Sequence, residues 1–219
     1  MRSKIRAMLE LQDSFNKKVH PEWINQGYAW DQAIFAELGE LLEHVGYKWW
    51  KKQEPDMNQL TMEMVDIWHF GMSFNMVCYV VDDDFSLPDC IEELSRNYQR
   101  YAESHDTSLK FDVSYLKMGI LSLANSITDL DDPWFDSQCF FDMWYSLGYT
   151  IDDLYKRYIG KNALNEFRQI NGYKDGTYIK IWNDREDNEY LTDILDNVVL
   201  DENLYSTVLN QLAVEYSKL

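Results

Sequence analysis

The sequence predicts an all-α helical bundle, and three observations carry that prediction. Apolar residues recur at spacings of three and four, as in Ile5, Leu9, Phe15 and Val19, in Ile34, Leu38, Leu41, Leu42 and Val45, and in Met64, Ile67, Phe70 and Phe74. Each set falls on one face of a helix. Strand-like alternation of apolar and polar residues is scarce. The 4 Pro and 9 Gly are few for 219 residues and gather at a handful of breaks.

Those breaks divide the chain in order. Pro21 and Gly27 close a first helix over about 3–18, Pro55 separates helices near 30–46 and 58–81, and Pro88 opens one near 88–104. Pro133 and Gly148 bracket helices near 112–130, 136–146 and 150–169. The GYKDG run from Gly172 to Gly176 then precedes an interrupted helix over 187–217. Gly and Pro act here as punctuation, because one frees φ and the other removes a backbone donor. The Asp82-Asp83-Asp84 run reads as a solvated turn. With 46% hydrophobic and 15% aromatic residues the chain can bury a sizeable core despite its charge, so disorder is excluded. One domain over 1–219 is expected.

The 20 Lys and Arg against 38 Asp and Glu give a net charge of −18. Duplex nucleic acid is bound through a basic surface and counterion release, so a polymer of that kind is not an expected partner. A small nucleotide is different, because a carboxylate cluster can hold a cation that the phosphates share. The charge is also uneven. Residues 53–155 carry 4 basic and 20 acidic side chains, whereas residues 156–180 carry 6 basic and 2 acidic. That short basic segment is the place to look for phosphate contacts.

Cys78, Cys90 and Cys139 are odd in number and widely spaced, without a CxxC pair, which fits a reducing, cytoplasmic setting better than a disulfide framework or a zinc knuckle. The N-terminal MRSKIRAMLELQDSF reads as an amphipathic helix and not as a signal peptide. In the most apolar stretch, Met62 to Val81, Glu63, Asp66, His69 and Asn75 intervene. Such residues are costly in lipid, so no membrane partner is expected.

The chemistry is concentrated on the second and third long helices. Glu37 and Glu40 are three apart in FAELGELLEH, and Glu63 and Asp66 repeat the spacing in TMEMVDIWHF. Residues three apart project from one side of a helix, so two antiparallel helices would bring four carboxylates together. Their repulsion calls for a divalent cation, and an all-oxygen donor set favours Mg²⁺ or Mn²⁺ over zinc. A lone ExxE is commonly a wet helix face. Here both pairs sit among large apolar residues, where an unpaired acid is rare. A di-iron carboxylate bundle is the competing metal reading, but it needs two Glu-x-x-His motifs and the chain offers only Asp66-x-x-His69 as a near match.

Three blocks carry a family resemblance: LQDSFN (Leu11 to Asn16), the ExxE helix running through GYKWWK to EMVDIWHF (Glu63 to Phe70), and YIGKNALNEFRQINGYKDGTYIKIW (Tyr158 to Trp182). In order and spacing they resemble the dimeric all-α dUTPases of the all-α nucleotide pyrophosphatase superfamily. The segment from about Tyr79 to Tyr155 matches no motif. The resemblance implies a four-helix metal-binding core and Mg²⁺-dependent hydrolysis of dUTP, and of dUDP, that keeps uracil out of DNA. Glu37, Glu40, Glu63 and Asp66 would be the metal ligands, and Glu40 would act on the attacking water.

It further implies that Lys161, Asn165, Arg168 and Lys174 contact phosphate. Gln12 and Asn16 would read the uracil edge, with Trp49 and His69 as pocket wall and sugar-side contact. The partners implied are a deoxyuridine nucleotide and a second copy of the chain. Two alternatives stay open beside the di-iron bundle: a phage-type dCTP/dUTP pyrophosphatase, active in a host cytoplasm, and a regulatory protein that kept the fold without the catalysis. Intact carboxylates and cations weigh against the latter.

Overall fold

The structure, a computed structural model, describes residues 1–104 and 111–219. It is all-α, with nine α-helices and one two-stranded hairpin among the described residues. Backbone contacts group it into two compact units, Met1–Asp152 and Asp153–Leu219.

The first unit is built from α1 (Arg2–Val19), α2 (Trp30–Val45), α3 (Met57–Val77), α4 (Leu87–Glu103), α5 (Val113–Ile127) and α6 (Ser137–Ser146). A 3₁₀ turn at Trp23–Gln26 links α1 to α2, and α3 runs into a π-helical turn at Cys78–Asp82. Several helices start where the sequence supplies an oxygen for their first backbone N–H groups. Asp56 accepts from the Gln59 amide, Ser86 from Asp89, Asp112 from Ser114 and Tyr115, and Asp136 from Cys139. Each such cap is worth about 1 kcal/mol.

α3 is the axis of this unit. It packs most extensively on α2 and also meets α1, α4 and α6, which is why fourteen of its residues are buried, on every side of the helix. A fully buried Trp68 stacks on Phe140 at 4.9 Å and lies 5.1 Å from Tyr98 and 5.3 Å from Phe141. At Gly71 a side chain would have no room, because a Cβ there would stand 2.5 Å from the Phe135 ring. On its side of that contact α2 buries Ile34, Leu38, Leu41 and Val45 at helical spacing.

The second unit takes the greater part of α7 (Ile151–Ile170), the turn over 171–176, the hairpin of β1 (Ile181–Trp182) and β2 (Arg185–Glu186), α8 (Asp187–Asn197) and α9 (Leu204–Tyr216). The hairpin pairs Ile181 with Glu186 and Trp182 with Arg185. Its turn residues Asn183 and Asp184 have φ of 47° and 66°, as a two-residue type I′ turn requires. α8 begins with a capping box between Glu186 and Glu189. Phe167, Trp182 and Tyr216 form the aromatic centre of the unit, with ring centroids 5.3 to 6.1 Å apart.

The helix boundaries agree with the sequence expectations to within a few residues. Two features were not anticipated: the hairpin, whose strands are too short to show alternation, and the π turn that ends α3. Asp82, Asp83 and Asp84 are exposed as expected. Among the described residues, no helix is long and apolar enough to cross a membrane.

Candidate active site

The carboxylates meet where α2 lies against α3. Glu37 on α2 and Glu63 and Asp66 on α3 each present an oxygen within 4.8 Å of the others. Glu63 is only 5% exposed, held between Met62 and Met64 on a helix that is buried all round. His44, the last basic residue of α2, places Nε2 3.7 Å from Glu63 Oε1. Glu40 is exposed and is not one of the three. Residues three apart are offset by about 60° around a helix axis, so Glu37 turns toward α3 while Glu40 faces solvent.

Three ionised carboxylates this close repel one another by roughly 3 kcal/mol for each pair at an effective dielectric of about 20. A divalent cation converts that repulsion into attraction. The donor set fits one: three carboxylate oxygens on two adjacent helices, without sulfur or imidazole, suit a hard ion. The group therefore can hold a metal ion, and its chemistry speaks for Mg²⁺ or Mn²⁺ rather than a softer metal.

A second set of predicted residues also comes together. Gln12 and Asn16, one turn apart on α1, are buried against His69 and Ser73 of α3. Gln12 Nε2 donates to Asn16 Oδ1 and to Ser73 Oγ, both at 3.1 Å, and Asn16 Nδ2 donates to Ser73 Oγ at 3.0 Å. His69 Nδ1 lies 2.9 Å from Gln12 Oε1. As that amide oxygen can only accept, the proton sits on Nδ1 and the ring is held in one orientation. The Gln12 amide thus fixes the orientation of the His69 ring. Ser73 escaped the sequence reading, although its place four residues after His69 puts it on the same face. Trp49 does not join the group: it is 90% exposed, in the turn after α2, edge-on to Trp50.

In the second unit Lys161, Asn165 and Arg168 line one face of α7. Lys161 is only 3% exposed, and its Nζ donates to Asn188 Oδ1 at 3.0 Å. Arg168 donates through Nε and Nη2 to the two oxygens of Asp187, at 2.8 and 2.7 Å, and through Nη1 to Asn165 at 3.3 Å. Tyr178 donates to the same carboxylate at 2.8 Å, and burial with the charge of Asp187 pushes its phenol well above the usual range. Lys174 is exposed, in the turn where Gly172 and Gly176 have φ of 91° and 69°. Asp187 and Asn188 were not anticipated. They lie about twenty residues beyond Arg168, and no sequence spacing relates a helix face to the first turn of a later helix.

A cavity of about 480 Å³ lies elsewhere in the first unit, lined by Asn75, Cys78, Tyr79, Asn97, Tyr98, Trp134 and neighbouring residues. Twelve residues of α3 and its extension separate Cys78 from Asp66, roughly 18 Å along the axis. The cavity lacks the converging carboxylates, and the carboxylate group is the better candidate on chemical grounds.

An all-α fold in which two adjacent helices converge three carboxylates able to hold a divalent cation fits a class of protein, the metal-dependent all-α hydrolases. The dUTPase family model matches residues 4–173, and the chain belongs to that family. Its activity is that of a dUTP diphosphatase. No curated protein shows significant sequence similarity to the chain. The matched range contains Glu37, Glu40, Glu63, Asp66, Gln12, Asn16, His69, Lys161 and Arg168.

Proposed function

We propose that the chain, acting as one dUTPase-like domain over 1–219, hydrolyses dUTP to dUMP and pyrophosphate with Mg²⁺, and dUDP to dUMP and phosphate. The observation that carries the reading is the convergence of Glu37, Glu63 and Asp66 within 4.8 Å. These three residues would hold the cation, with Glu40 completing the set when substrate is bound. A divalent cation bound there would supply charge neutralisation of the phosphate oxygens and alignment for in-line displacement.

Glu40 orients the attacking water and accepts its proton. Its exposure supports that role, since a base must be reached by solvent. Water attacks the α-phosphorus, the bond to the bridging oxygen breaks, and pyrophosphate leaves with the electron pair. Lys161, Asn165, Arg168 and Lys174 contact the phosphates, which agrees with the charge-assisted donors of the two Lys and the Arg. Gln12 and Asn16 read the uracil edge by exchanging the hydrogen bonds they make to each other and to Ser73, while His69 fixes the orientation of the Gln12 amide. Trp49, being exposed, would have to fold over the base to become a wall. We further propose a homodimer acting in the cytoplasm.

Chromatography of the products formed from dUTP, dUDP, dCTP and dTTP, with Mg²⁺ and with excess EDTA, tests the reading. The expected result is dUMP from the two uracil nucleotides and nothing in EDTA. Preferential release of dCMP would place the chain with the dCTP/dUTP type instead.

A further inference from the structure

The cluster around Arg168 contains a group, Asp187, that the matched family range does not reach. Asp187 opens α8 and is completely buried. A buried carboxylate needs its charge answered, and both of its oxygens are engaged, by Arg168 Nε and Nη2 and by the Tyr178 hydroxyl. The planar fork of a guanidinium gripped along one edge cannot rotate. Its remaining Nη1 therefore points to Asn165, and Nη2 also comes within 3.4 Å of Asn188 Oδ1. Lys161 reaches the same amide oxygen. Two cations thus converge on one neutral oxygen, in a spot where an anionic oxygen would be a stronger acceptor.

Tyr178 extends this arrangement to the glycine-bounded turn. It sits two residues after Gly176, stacks on Tyr216 at 5.5 Å and lies 6.2 Å from Tyr173 inside the turn. We propose that Asp187 is a positioning residue: its carboxylate sets the guanidinium of Arg168 for phosphate and, through Tyr178, ties that setting to the turn over 171–176. The inference rests on the reading that Arg168 contacts the substrate's phosphates. It adds that the contact is made only by an arginine held from behind.

The test compares binding of two ligands, α,β-imido-dUTP with Mg²⁺ and dUMP, to wild type, Asp187→Asn, Arg168→Gln and the double variant, with folding followed by circular dichroism. Asp187→Asn is expected to weaken the triphosphate analogue about 10- to 100-fold, the usual effect of losing an outer partner of a binding group, and to leave dUMP binding unchanged. The double variant should bind no more weakly than Arg168→Gln alone, because both changes act through one guanidinium. A folded Asp187→Asn protein that binds the analogue like wild type, while Arg168→Gln binds it weakly, overturns the proposal. If Arg168→Gln also binds like wild type, the reading of Arg168 as a phosphate contact is what fails. Should Asp187→Asn not fold, Tyr178→Phe decides: weaker binding of the analogue alone supports the coupling, and unchanged binding refutes it.

Discussion

Glu40 and Glu63 illustrate how two carboxylates on neighbouring helices come to differ. Glu40 is exposed, so Glu40→Gln should leave folding intact while lowering kcat by about 10²- to 10⁴-fold, the span a general base contributes. Steady-state kinetics with a thermal melt alongside measures both. Glu63 is buried amid like charges, and its replacement by Gln removes repulsion from the metal-free protein. We expect Glu63→Gln to melt at or above the wild-type temperature in EDTA and to lose the rise that Mg²⁺ gives wild type. A bound ligand at a hundred times its dissociation constant stabilises by about 2.7 kcal/mol, which calorimetry resolves. The cysteines behave differently again. Burial, ahead of nearby aspartates, pushes the thiols of Cys78 and Cys139 up to about 12, and burial does the same for Cys90. A thiol with so high a pKa stays protonated throughout the physiological range, and the thiolate is the reactive form. Alkylation by iodoacetamide at pH 8 should accordingly be slow in the native protein and fast after unfolding in urea.

Among the elements, α3 concentrates the most function in one helix. It carries two carboxylates of the cluster, the imidazole that orients Gln12, and the Trp68 aromatic core. Gly71 lies between these duties, and a methyl there would collide with Phe135. Gly71→Ala is expected to destabilise by about 1–3 kcal/mol, as overpacking does, seen as a lower urea midpoint with an unchanged slope. The helices were legible in the sequence because a spacing of three and four is written by the same apolar residues that later fill the core. Finer geometry was not. The spacing of Glu37 and Glu40 predicts a shared side, yet the 60° between them decides which one faces the partner helix, and that depends on how α2 is rotated against α3. The amide network was half legible: Gln12 and Asn16 are one turn apart on α1, whereas their meeting with His69 and Ser73 depends on packing between helices. The hairpin left no trace, since strands of two residues have no period to read.

Across the whole molecule, charge is arranged rather than merely abundant. The sequence places the acid excess in residues 53–155 and a basic island at 156–180. Three of the acids, drawn from α2 and α3, form the cluster. In the basic island, Arg168 is answered by Asp187 from the acidic tail, so a charge count over residues 156–180 alone overstates the net positive charge there. That pairing joins residues 19 apart in sequence and could not be read from either segment alone. Divalent cation should therefore be needed twice, once to neutralise the cluster and once to carry the substrate's charge toward a molecule of net −18. The Michaelis constant for dUTP should fall with rising ionic strength when Mg²⁺ is limiting and much less when it is saturating, which steady-state assays at graded salt will show.

The central claim, that water held by the carboxylate site attacks the α-phosphorus of dUTP, is tested most directly by turnover with Mg²⁺ in ¹⁸O-enriched water, followed by mass spectrometry of both products. The account predicts one ¹⁸O in dUMP and none in pyrophosphate. Label in the departing phosphate chain, or release of dUDP and inorganic phosphate in place of dUMP and pyrophosphate, would contradict it.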